Sequence, residues 1–384
     1  MDKILIIHNK YRLTGGEDIA VSNEINILKK HFDVKVIYFD NRIKNYIVQP
    51  FYFLINKNYK SIKIIKEKIK NFNPDIVYVH NTWFKVSPGI FSEIIKIKKP
   101  IILKIHNFRF YCTKHFFASR HFGKKTFCQG CGFYSKDMGI FNKYFSNSFT
   151  RSLLVVIYGI KFFKVLKSSK LKILTLTNFQ RKFLIKNGIN KEKIFVHRNM
   201  LDNQVNFLQS STSDKKYIVY AGRISMEKGV EQLINAFLKS NLNHLFEFKI
   251  IGDGPELIKL RENFSHGNIK FLGQISNEQT IKLIQKAKAV VTATQLYEGQ
   301  PTLLCEASVM GVPSIFPTNE GISEFFPENY ELTFDRNDQE SIISVLNKIE
   351  IINLKEIGLK NKNFIDELIN EESYIGNFKK IIHE

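Results

Sequence analysis

The 384-residue sequence predicts an α/β protein made of two doubly wound parallel-sheet domains that face each other across a cleft. Short β-branched runs alternate with amphipathic helical patterns along the chain, and such alternation produces parallel strands covered by helices. The alternation restarts after the polar stretch 202–216. The chain is also long enough for two or three domains of roughly 100–200 residues. We therefore expect an N-terminal domain over residues 1–203 and a C-terminal domain over residues 207–370.

The first domain begins with a strand, a helix and a second strand, and four more predicted strands follow. The helix is expected from about Asp18 to Lys30, where apolar residues recur at helical spacing. The predicted strands are Lys3–His8, Val34–Phe39, Asp75–His80, Ile101–His106, Ile173–Leu176 and Ile194–His197.

The second domain repeats the pattern, and the chain ends in a helical segment. Its predicted strands are Tyr217–Ala221, Phe246–Gly252, Lys270–Leu272, Ala289–Thr292 and Val312–Phe316. We expect the last stretch, residues 373–384, to pack back onto the first domain. Ligands of doubly wound sheets bind beyond the carboxyl ends of the strands, so motifs at those ends are the candidate functional residues.

Charge is distributed unevenly along the chain, which carries 57 Lys and Arg against 36 Asp and Glu, a formal net charge of +21. Residues 1–200 contain 38 basic and 11 acidic side chains, and the remainder contains 19 and 25. A basic half predicts an anionic partner. A recognised nucleic-acid-binding signature is missing from that half, so an anionic membrane surface is favoured over nucleic acid.

Composition disfavours several other classes of protein. A chain with 44% hydrophobic residues is not disordered. The N-terminus lacks the apolar core of a secretory signal, and the sequence shows no apolar run of the about 18 residues that a membrane-spanning helix needs. Four cysteines in this length do not indicate a disulfide scaffold. We expect a cytoplasmic protein.

Two carboxylates eight positions apart, Glu298 and Glu306, give the sharpest signal. The intervening Gly299-Gln300-Pro301 reads as a turn with Pro301 at the first position of a helix. Glu298 would then lie in the loop and Glu306 on the helix, while the positive end of the helix suits a phosphate. An unrelated pair of exposed glutamates beside a helix start is the alternative.

Further motifs follow the predicted strands of the second domain. Gly222 ends a strand and is followed by Arg223 and Lys228, two cations able to hold a diphosphate and neutralise it as it leaves. Gly252-Asp253-Gly254 ends the next strand in a turn that a ligand can approach closely. Solvated surface cations and ordinary turns are the alternative interpretations.

In the first domain, Gly15 and Gly16 open a helix after the first strand, and glycines there would let backbone approach a phosphate or an acceptor. A plain turn explains two glycines equally well. His106 ends a predicted buried strand; a core histidine is the structural alternative to a catalytic one.

Together these motifs resemble family 4 glycosyltransferases, which are retaining nucleotide-sugar enzymes with the GT-B fold. The similarity covers the order Gly-Arg…Lys-Gly, Gly-Asp-Gly-Pro, Phe-Leu-Gly and Glu-x7-Glu between Gly222 and Glu306. The Gly-Gly-Glu-Asp loop at Gly15 and the segments 74–81 and 103–107 look like the acceptor-side domain of the same family.

The resemblance implies a role for each matching residue. Arg223 and Lys228 would grip the diphosphate, and His106 would contact the donor sugar near the reacting carbon. Glu298 and the backbone of Gly299 and Gln300 would also contact the sugar, Thr302 and Leu303 would offer N–H groups to phosphate, and Glu306 would bind the ribose hydroxyls. The other expected donor-binding positions are Gly15, Gly16, Gly222, Gly252, Gly254 and Leu272.

Cys112, Cys128 and Cys131 form a possible structural zinc site, because Cys128-Gln129-Gly130-Cys131 has the pair spacing of a zinc or redox motif. His115 or His121 would have to supply the fourth ligand. Free buried thiols are the default interpretation. Catalysis is not expected to use a metal, because Arg and Lys already neutralise a diphosphate.

The segment 151–167 is apolar, aromatic and basic. With Phe51–Leu54 and Phe116-Phe117 it could enter a membrane interface while its lysines contact anionic lipid. An internal helix of the first domain with exposed lysines is the equally weighted alternative.

The expected function is transfer of a sugar from a nucleotide diphosphate, most often UDP or GDP, to an acceptor hydroxyl with retained anomeric configuration. The resemblance makes a lipid-linked oligosaccharide of bacterial surface polysaccharide (O-antigen or capsule) the expected acceptor, reached on the cytoplasmic face of the inner membrane, with no cofactor required. A nucleotide-sugar epimerase or a sugar phosphorylase of the same fold is the alternative, and a nucleic-acid-binding protein is a weaker one.

Overall fold

A computed structural model describes the chain except for residues 12–14, 43–47, 84, 109–147, 202–216, 265–266 and 319. The chain divides into two compact units. The first unit contains the described residues up to Met200 together with Asn370–Glu384, and the second contains Leu201–Ile369.

The sheet of the first unit has six parallel strands in the order β2-β1-β3-β4-β5-β6. These strands are β1 (Lys3–Lys10), β2 (Asp33–Asp40), β3 (Ile76–Asn81), β4 (Ile101–Ile105), β5 (Leu171–Thr175) and β6 (Ile194–Val196). Strands β3 and β4 are buried along their whole length, as expected for central strands covered by helices on both faces. The strand order reverses at β1, which places the topological switch point beside β3.

Helices cover both faces of this sheet. They are α1 (Gly16–His31), α2 (Val48–Leu54), α3 (Tyr59–Phe72), α4 (Gly89–Lys96), α5 (Phe149–Leu166) and α6 (Asn178–Lys186). In α3 the buried residues Ile62, Ile65, Ile69 and Phe72 recur every three or four positions, which gives one apolar face to the sheet. Asn58 caps its N-terminus by accepting a hydrogen bond from the Ser61 N–H.

The second unit repeats this architecture with the strand order β12-β11-β10-β7-β8-β9. Its strands are β7 (Tyr217–Ala221), β8 (Glu247–Ile251), β9 (Ile269–Gly273), β10 (Val290–Val291), β11 (Ser314–Pro317) and β12 (Thr333–Phe334). Its helices are α7 (Val230–Lys239), α8 (Leu257–Phe264), α9 (Asn277–Gln285), α10 (Thr302–Val309), α11 (Glu320–Ser323), α12 (Gln339–Lys348) and α13 (Leu354–Leu368). The predicted class, two doubly wound parallel sheets, is confirmed.

The last helix, α14 (Glu371–His383), belongs to the first unit. Its buried side chains are Tyr374, Ile375, Phe378 and Ile381. The Phe378 ring lies 5.7 Å from that of Phe32, which follows α1, and Lys30 of α1 pairs with Glu371 at 2.8 Å.

Helix α5 contains nearly all of the segment 151–167, for which the sequence predicts either a membrane interface or an internal helix of the first domain. Tyr158, Phe162, Phe163 and Leu166 are buried, and the Tyr158 ring stacks on Phe53 of α2 at 5.5 Å. This half of α5 therefore packs inside the unit, in accord with the internal-helix interpretation, while Lys164 and Lys167 are exposed. Among the helices that the structure describes, none is long and apolar enough to cross a membrane.

Candidate active site

Two glycine turns meet at the carboxyl ends of β7 and β8. The Gly222 N–H donates to the Ile251 carbonyl at 3.0 Å, and the Ile224 N–H donates to that of Asp253 at 2.9 Å. A Cβ atom at Gly252 would lie 1.9 Å from the Gly222 oxygen, and Gly252 has a φ of +132°. Glycine is therefore required here for both space and backbone conformation.

Gly254 is confined in the same way, because a Cβ there would lie 2.1 Å from the Ile224 carbonyl oxygen. The backbones of the two loops thus touch without intervening side chains, and their N–H and C=O groups bond to one another, which fixes the shape of this edge of the sheet.

The loop after β7 is fixed against the loop after β10. Gly229 has a φ of +68°, and a Cβ there would lie 2.3 Å from the Ala293 carbonyl oxygen. The Gln295 N–H donates to the Glu227 carbonyl at 2.8 Å. These contacts position the single 3₁₀ turn Met226–Lys228, whereas Arg223 lies on the exposed part of the loop.

Lys228 and Glu298 are brought together by these loops. The Lys228 Nζ lies 2.6 Å from the Glu298 Oε1, and the two side chains are 27% and 21% exposed. The buried Thr294 hydroxyl donates to the same carboxylate oxygen at 2.7 Å. An ammonium held beside a half-buried carboxylate can exchange that partner for a phosphate oxygen, because both are anionic acceptors.

Helix α10 begins at Thr302, four residues after Glu298. Pro301 precedes the helix with φ −80° and ψ 82°, so Thr302, and not Pro301, is the first helical residue. This corrects the sequence prediction; the Pro301 carbonyl accepts from the Leu304 and Cys305 N–H groups, as a residue just before a helix does. The N–H groups of Thr302 and Leu303 lie at the positive end of α10.

The remaining predicted donor-binding positions of the second unit lie in or just before this helix and at the end of β9. Glu306, the fifth residue of α10, is 9% exposed, and Gln300 is 8% exposed. Gly299 is also buried. Leu272 lies near the end of β9 and is 38% exposed, beside Gly273, whose carbonyl accepts from the Gly252 N–H at 2.8 Å.

In the first unit, Gly15 precedes α1 and Gly16 begins it. A Cβ at either position would meet nothing within 4 Å, so neither glycine is required by packing. The Gly15 N–H donates to Asp18 Oδ2 at 3.1 Å, and Asp18 Oδ1 lies 2.8 Å from His8 Nε2. Asp18 thereby ties the start of α1 to β1.

His106 follows β4 and contacts a second histidine. Its Nε2 lies 3.0 Å from Nδ1 of His80, and the two rings are stacked with centroids 5.3 Å apart. Burial is the main cause that lowers the pKa of both rings well below the usual value, and the charge of Lys104 adds to it. Both histidines are therefore neutral near pH 7.

Beneath these histidines lies a buried ion pair. The Lys104 Nζ is 2.9 Å from Glu24 Oε2, and both side chains are 0% exposed. Tyr78 donates to Glu24 Oε1 at 2.6 Å, and the Tyr374 hydroxyl donates to the same oxygen. Burial raises the pKa of Glu24, but Lys104, His197 and the two tyrosine hydrogen bonds outweigh it and lower that pKa.

Four residues that contact or support the predicted site residues were not predicted from the sequence. His8, Asp18, His80 and Thr294 support predicted site residues, yet none stands out as a motif by itself. The sequence does contain one signal: four predicted strands of the first sheet end in a histidine (His8, His80, His106 and His197), and the carboxyl ends of parallel strands share an edge.

The cysteine prediction is not tested by these contacts. Cys112, Cys128 and Cys131, with His115 and His121, lie outside the described residues. Cys305 is a buried residue of α10. Within the described ranges, no group of three or more His, Cys, Asp or Glu side chains is arranged to hold a metal ion.

Residues 203–363, which contain these donor-side motifs, match the family described as glycosyl transferases group 1. The matched residues all lie within the second unit.

Known proteins with similar sequence or structure are also glycosyltransferases or bind a sugar nucleotide. An uncharacterised glycosyltransferase of Methanocaldococcus jannaschii is 29% identical over 147 residues, so the match spans 37% of either chain. The amylovoran biosynthesis glycosyltransferase AmsD of Erwinia amylovora is 22% identical over 358 residues and 88% of each chain. The crystal structure of Anabaena HepE in complex with UDP-glucose superposes with a TM-score of 0.69 over 100% of both chains at 13% identity. The fold is therefore GT-B.

Proposed function

We propose that the protein is a retaining glycosyltransferase that moves a sugar from a nucleotide diphosphate to an acceptor hydroxyl. The observation that carries this proposal is the Lys228–Glu298 pair, 2.6 Å apart beside the N-terminus of α10, within a stretch that matches the group 1 family. A cation, a carboxylate and a helix N-terminus converge there, and together they suit a diphosphate joined to a polyhydroxylated sugar.

In the proposed reaction, the bond between the anomeric carbon and the diphosphate oxygen breaks on the face that the acceptor attacks. The acceptor oxygen forms the new bond, and its proton passes to the departing phosphate. Lys228, Arg223 and the N–H groups of Thr302 and Leu303 stabilise the charge that develops on the diphosphate. Glu298 and His106 orient the sugar, and Glu306 binds the ribose hydroxyls.

We further propose UDP or GDP as the nucleotide and a lipid-linked saccharide as the acceptor, with no cofactor. HepE, which shares the fold, is described in complex with UDP-glucose, and AmsD is named for the biosynthesis of a polysaccharide, amylovoran. The basic charge of residues 1–200 supports an enzyme that works at the anionic cytoplasmic face of a membrane.

The proposal is tested by a panel of UDP-, GDP-, TDP- and ADP-sugars, each assayed for thermal stabilisation and for transfer or slow donor hydrolysis. Lys228→Ala is expected to lower turnover by about a hundredfold or more, as the loss of one preorganised charge-stabilising donor does. Lys259→Ala is the matched control, because Lys259 pairs with Glu231 at 3.0 Å on the exposed surface of the same unit.

Full turnover by Lys228→Ala, or no stabilisation by any sugar nucleotide, would contradict the assignment. The anomeric configuration of the product, read by NMR, tests retention. Epimerised donor, or transfer that requires inorganic phosphate, would instead indicate an epimerase or a phosphorylase.

A further inference from the structure

The loop after β10 carries a buried threonine four residues before Glu298. Thr294 is 2% exposed, and its hydroxyl lies 2.7 Å from Glu298 Oε1, the same oxygen that the Lys228 Nζ approaches at 2.6 Å. The Leu296 N–H lies 3.3 Å from this hydroxyl. An N–H group can only donate and a carboxylate oxygen can only accept. The Thr294 hydroxyl therefore accepts from Leu296 and donates its single proton to Glu298.

The two donors to Glu298 Oε1 belong to different loops. Lys228 ends the 3₁₀ turn after β7 and is 27% exposed, so its flexible side chain can turn to another anion. Thr294 lies in the loop of Glu298 itself and is enclosed. The hydrogen bond from Thr294 therefore does not depend on the direction in which Lys228 points.

The backbone of this loop is fixed by contacts that do not involve the threonine hydroxyl. The Arg336 guanidinium donates to the Gln295 carbonyl at 3.3 Å, and the side-chain amide of Gln295 donates to Gln232 at 3.2 Å. The Gln295 N–H also donates to the Glu227 carbonyl at 2.8 Å. Loss of the hydroxyl would thus release the Glu298 carboxylate while the loop keeps these anchors.

We propose that Thr294 is a positioning residue that keeps Glu298 oriented toward the donor sugar while Lys228 moves from that carboxylate to the diphosphate. This role rests on the proposed function, in which Glu298 contacts the sugar and Lys228 the diphosphate. Donor binding breaks the Lys228–Glu298 pair, and the hydroxyl preserves the orientation of the carboxylate through that exchange. A polar group that is already in place need not reorient during the reaction.

The proposal predicts that Thr294 affects the sugar and not the diphosphate. Thr294→Val keeps the branched shape and lacks the hydroxyl. We expect this variant to bind the nucleoside diphosphate as wild type does in calorimetric titration. Its kcat/KM for the sugar nucleotide should fall about tenfold, the loss of one hydrogen bond to a charged group. Thr294→Ser keeps the hydroxyl and should restore most of the rate.

Two results of this comparison would overturn the proposal. Equal losses of kcat/KM in Thr294→Val and Thr294→Ser would show that only the packing of the methyl group matters. Weaker binding of the nucleoside diphosphate by Thr294→Val would show that the threonine supports the whole loop. A wild-type kcat/KM in Thr294→Val would equally contradict it.

A combined variant tests whether the threonine acts through Glu298. In a Glu298→Ala background, the change Thr294→Val should alter kcat/KM by less than about twofold, because the acceptor of the hydroxyl is already gone. Urea unfolding of the same four proteins should likewise show losses of stability that are not additive. A full tenfold loss in the Glu298→Ala background, or additive losses of stability, would contradict the positioning role.

Failure of the proposed function is distinguishable from failure of this proposal. If the function is wrong, the wild-type protein itself neither binds nor turns over any sugar nucleotide, and the positioning role falls with it. If only the positioning role is wrong, the wild-type protein is active and the Thr294 variants depart from the expected pattern.

Discussion

His197 is a buried residue whose surroundings make protonation costly. It is 2% exposed, and its ring lies 4.2 Å from that of Tyr374 and 5.4 Å from that of Phe378, both in α14. Burial is the main cause that lowers its pKa to about 3, and Lys104 adds to it. Folding therefore requires the neutral imidazole.

Acid should weaken the first unit through this histidine. The unfolded side chain keeps a pKa near 6.5 and the folded one about 3, so the unfolded state binds more protons between these pH values. The free energy of unfolding therefore falls as the pH falls through that window. Burial also lowers the pKa of His80 and of His106, so both residues add to the loss of stability in acid. Urea unfolding at about pH 7 and pH 5 measures the effect.

The variant His197→Phe should reduce this pH dependence by about one proton, because Phe can occupy the aromatic contacts but cannot titrate. His244→Gln is the control, since His244 is exposed in the second unit, and it should keep the wild-type slope. A wild-type slope in His197→Phe would assign the acid sensitivity to other groups.

At the scale of elements, the glycine turns decide how closely the loops after β7 and β8 approach. Gly252 has both a positive φ and a backbone oxygen 1.9 Å from the position of a Cβ. Gly267 is a matched case in the same unit, with a φ of +63° but nothing within 4 Å of its Cβ position.

We expect Gly252→Ala to separate the two loops and to lose affinity for the sugar nucleotide by about tenfold or more, because the loop backbones must shift to admit a methyl group. Gly267→Ala carries only the backbone strain, roughly 1 kcal/mol, and should bind normally. Calorimetric titration of the donor identified in the panel measures both. Normal binding by Gly252→Ala would show that this contact does not shape the donor site.

The same elements show what could be predicted from sequence alone. The hydrophobic pattern and the glycine spacing predicted a turn after β7. The sequence Gly299-Gln300-Pro301 predicted the start of α10 to within one residue. The contact between Lys228 and Glu298 could not be predicted, because the residues are 70 positions apart and meet only through the non-consecutive neighbours β7 and β10. Sequence periodicity carries no information on strand order.

At the scale of the whole molecule, two regular α/β series were predictable because strands such as β1 and β2, with eight residues each, are long enough to show their pattern. Strand β12, with two residues, Thr333 and Phe334, is too short for any periodicity. The Glu24–Lys104 pair could not be predicted either. A charged side chain is expected to be exposed to solvent, and nothing in the local sequence of Lys104 indicates a partner 80 positions away.

The exposed apolar side chains of the first unit indicate which surface would meet a membrane. Phe51 and Leu54 of α2 are 56% and 47% exposed, and Tyr59 at the start of α3 is 56% exposed. Lys57 and Lys60 lie among them and are exposed. Apolar and basic side chains together suit an anionic lipid surface, where each Lys contributes about 1 kcal/mol. This surface differs from the buried face of α5.

We expect the protein to co-sediment with vesicles containing anionic phosphatidylglycerol, with binding that weakens as salt is raised, because screening reduces the lysine contribution. The double substitution Phe51→Ser and Leu54→Ser should weaken binding at least about tenfold, since inserting one large apolar side chain is worth about 1.5–3 kcal/mol. Its control is Ile258→Ser with Ile351→Ser, which removes two exposed apolar side chains, 73% and 84% exposed, from the second unit. Equal binding by the two double variants would show that this surface does not contact the lipid. If the wild-type protein does not bind the vesicles at physiological salt, the basic side chains of the first unit are only solvated and the proposed membrane association is wrong.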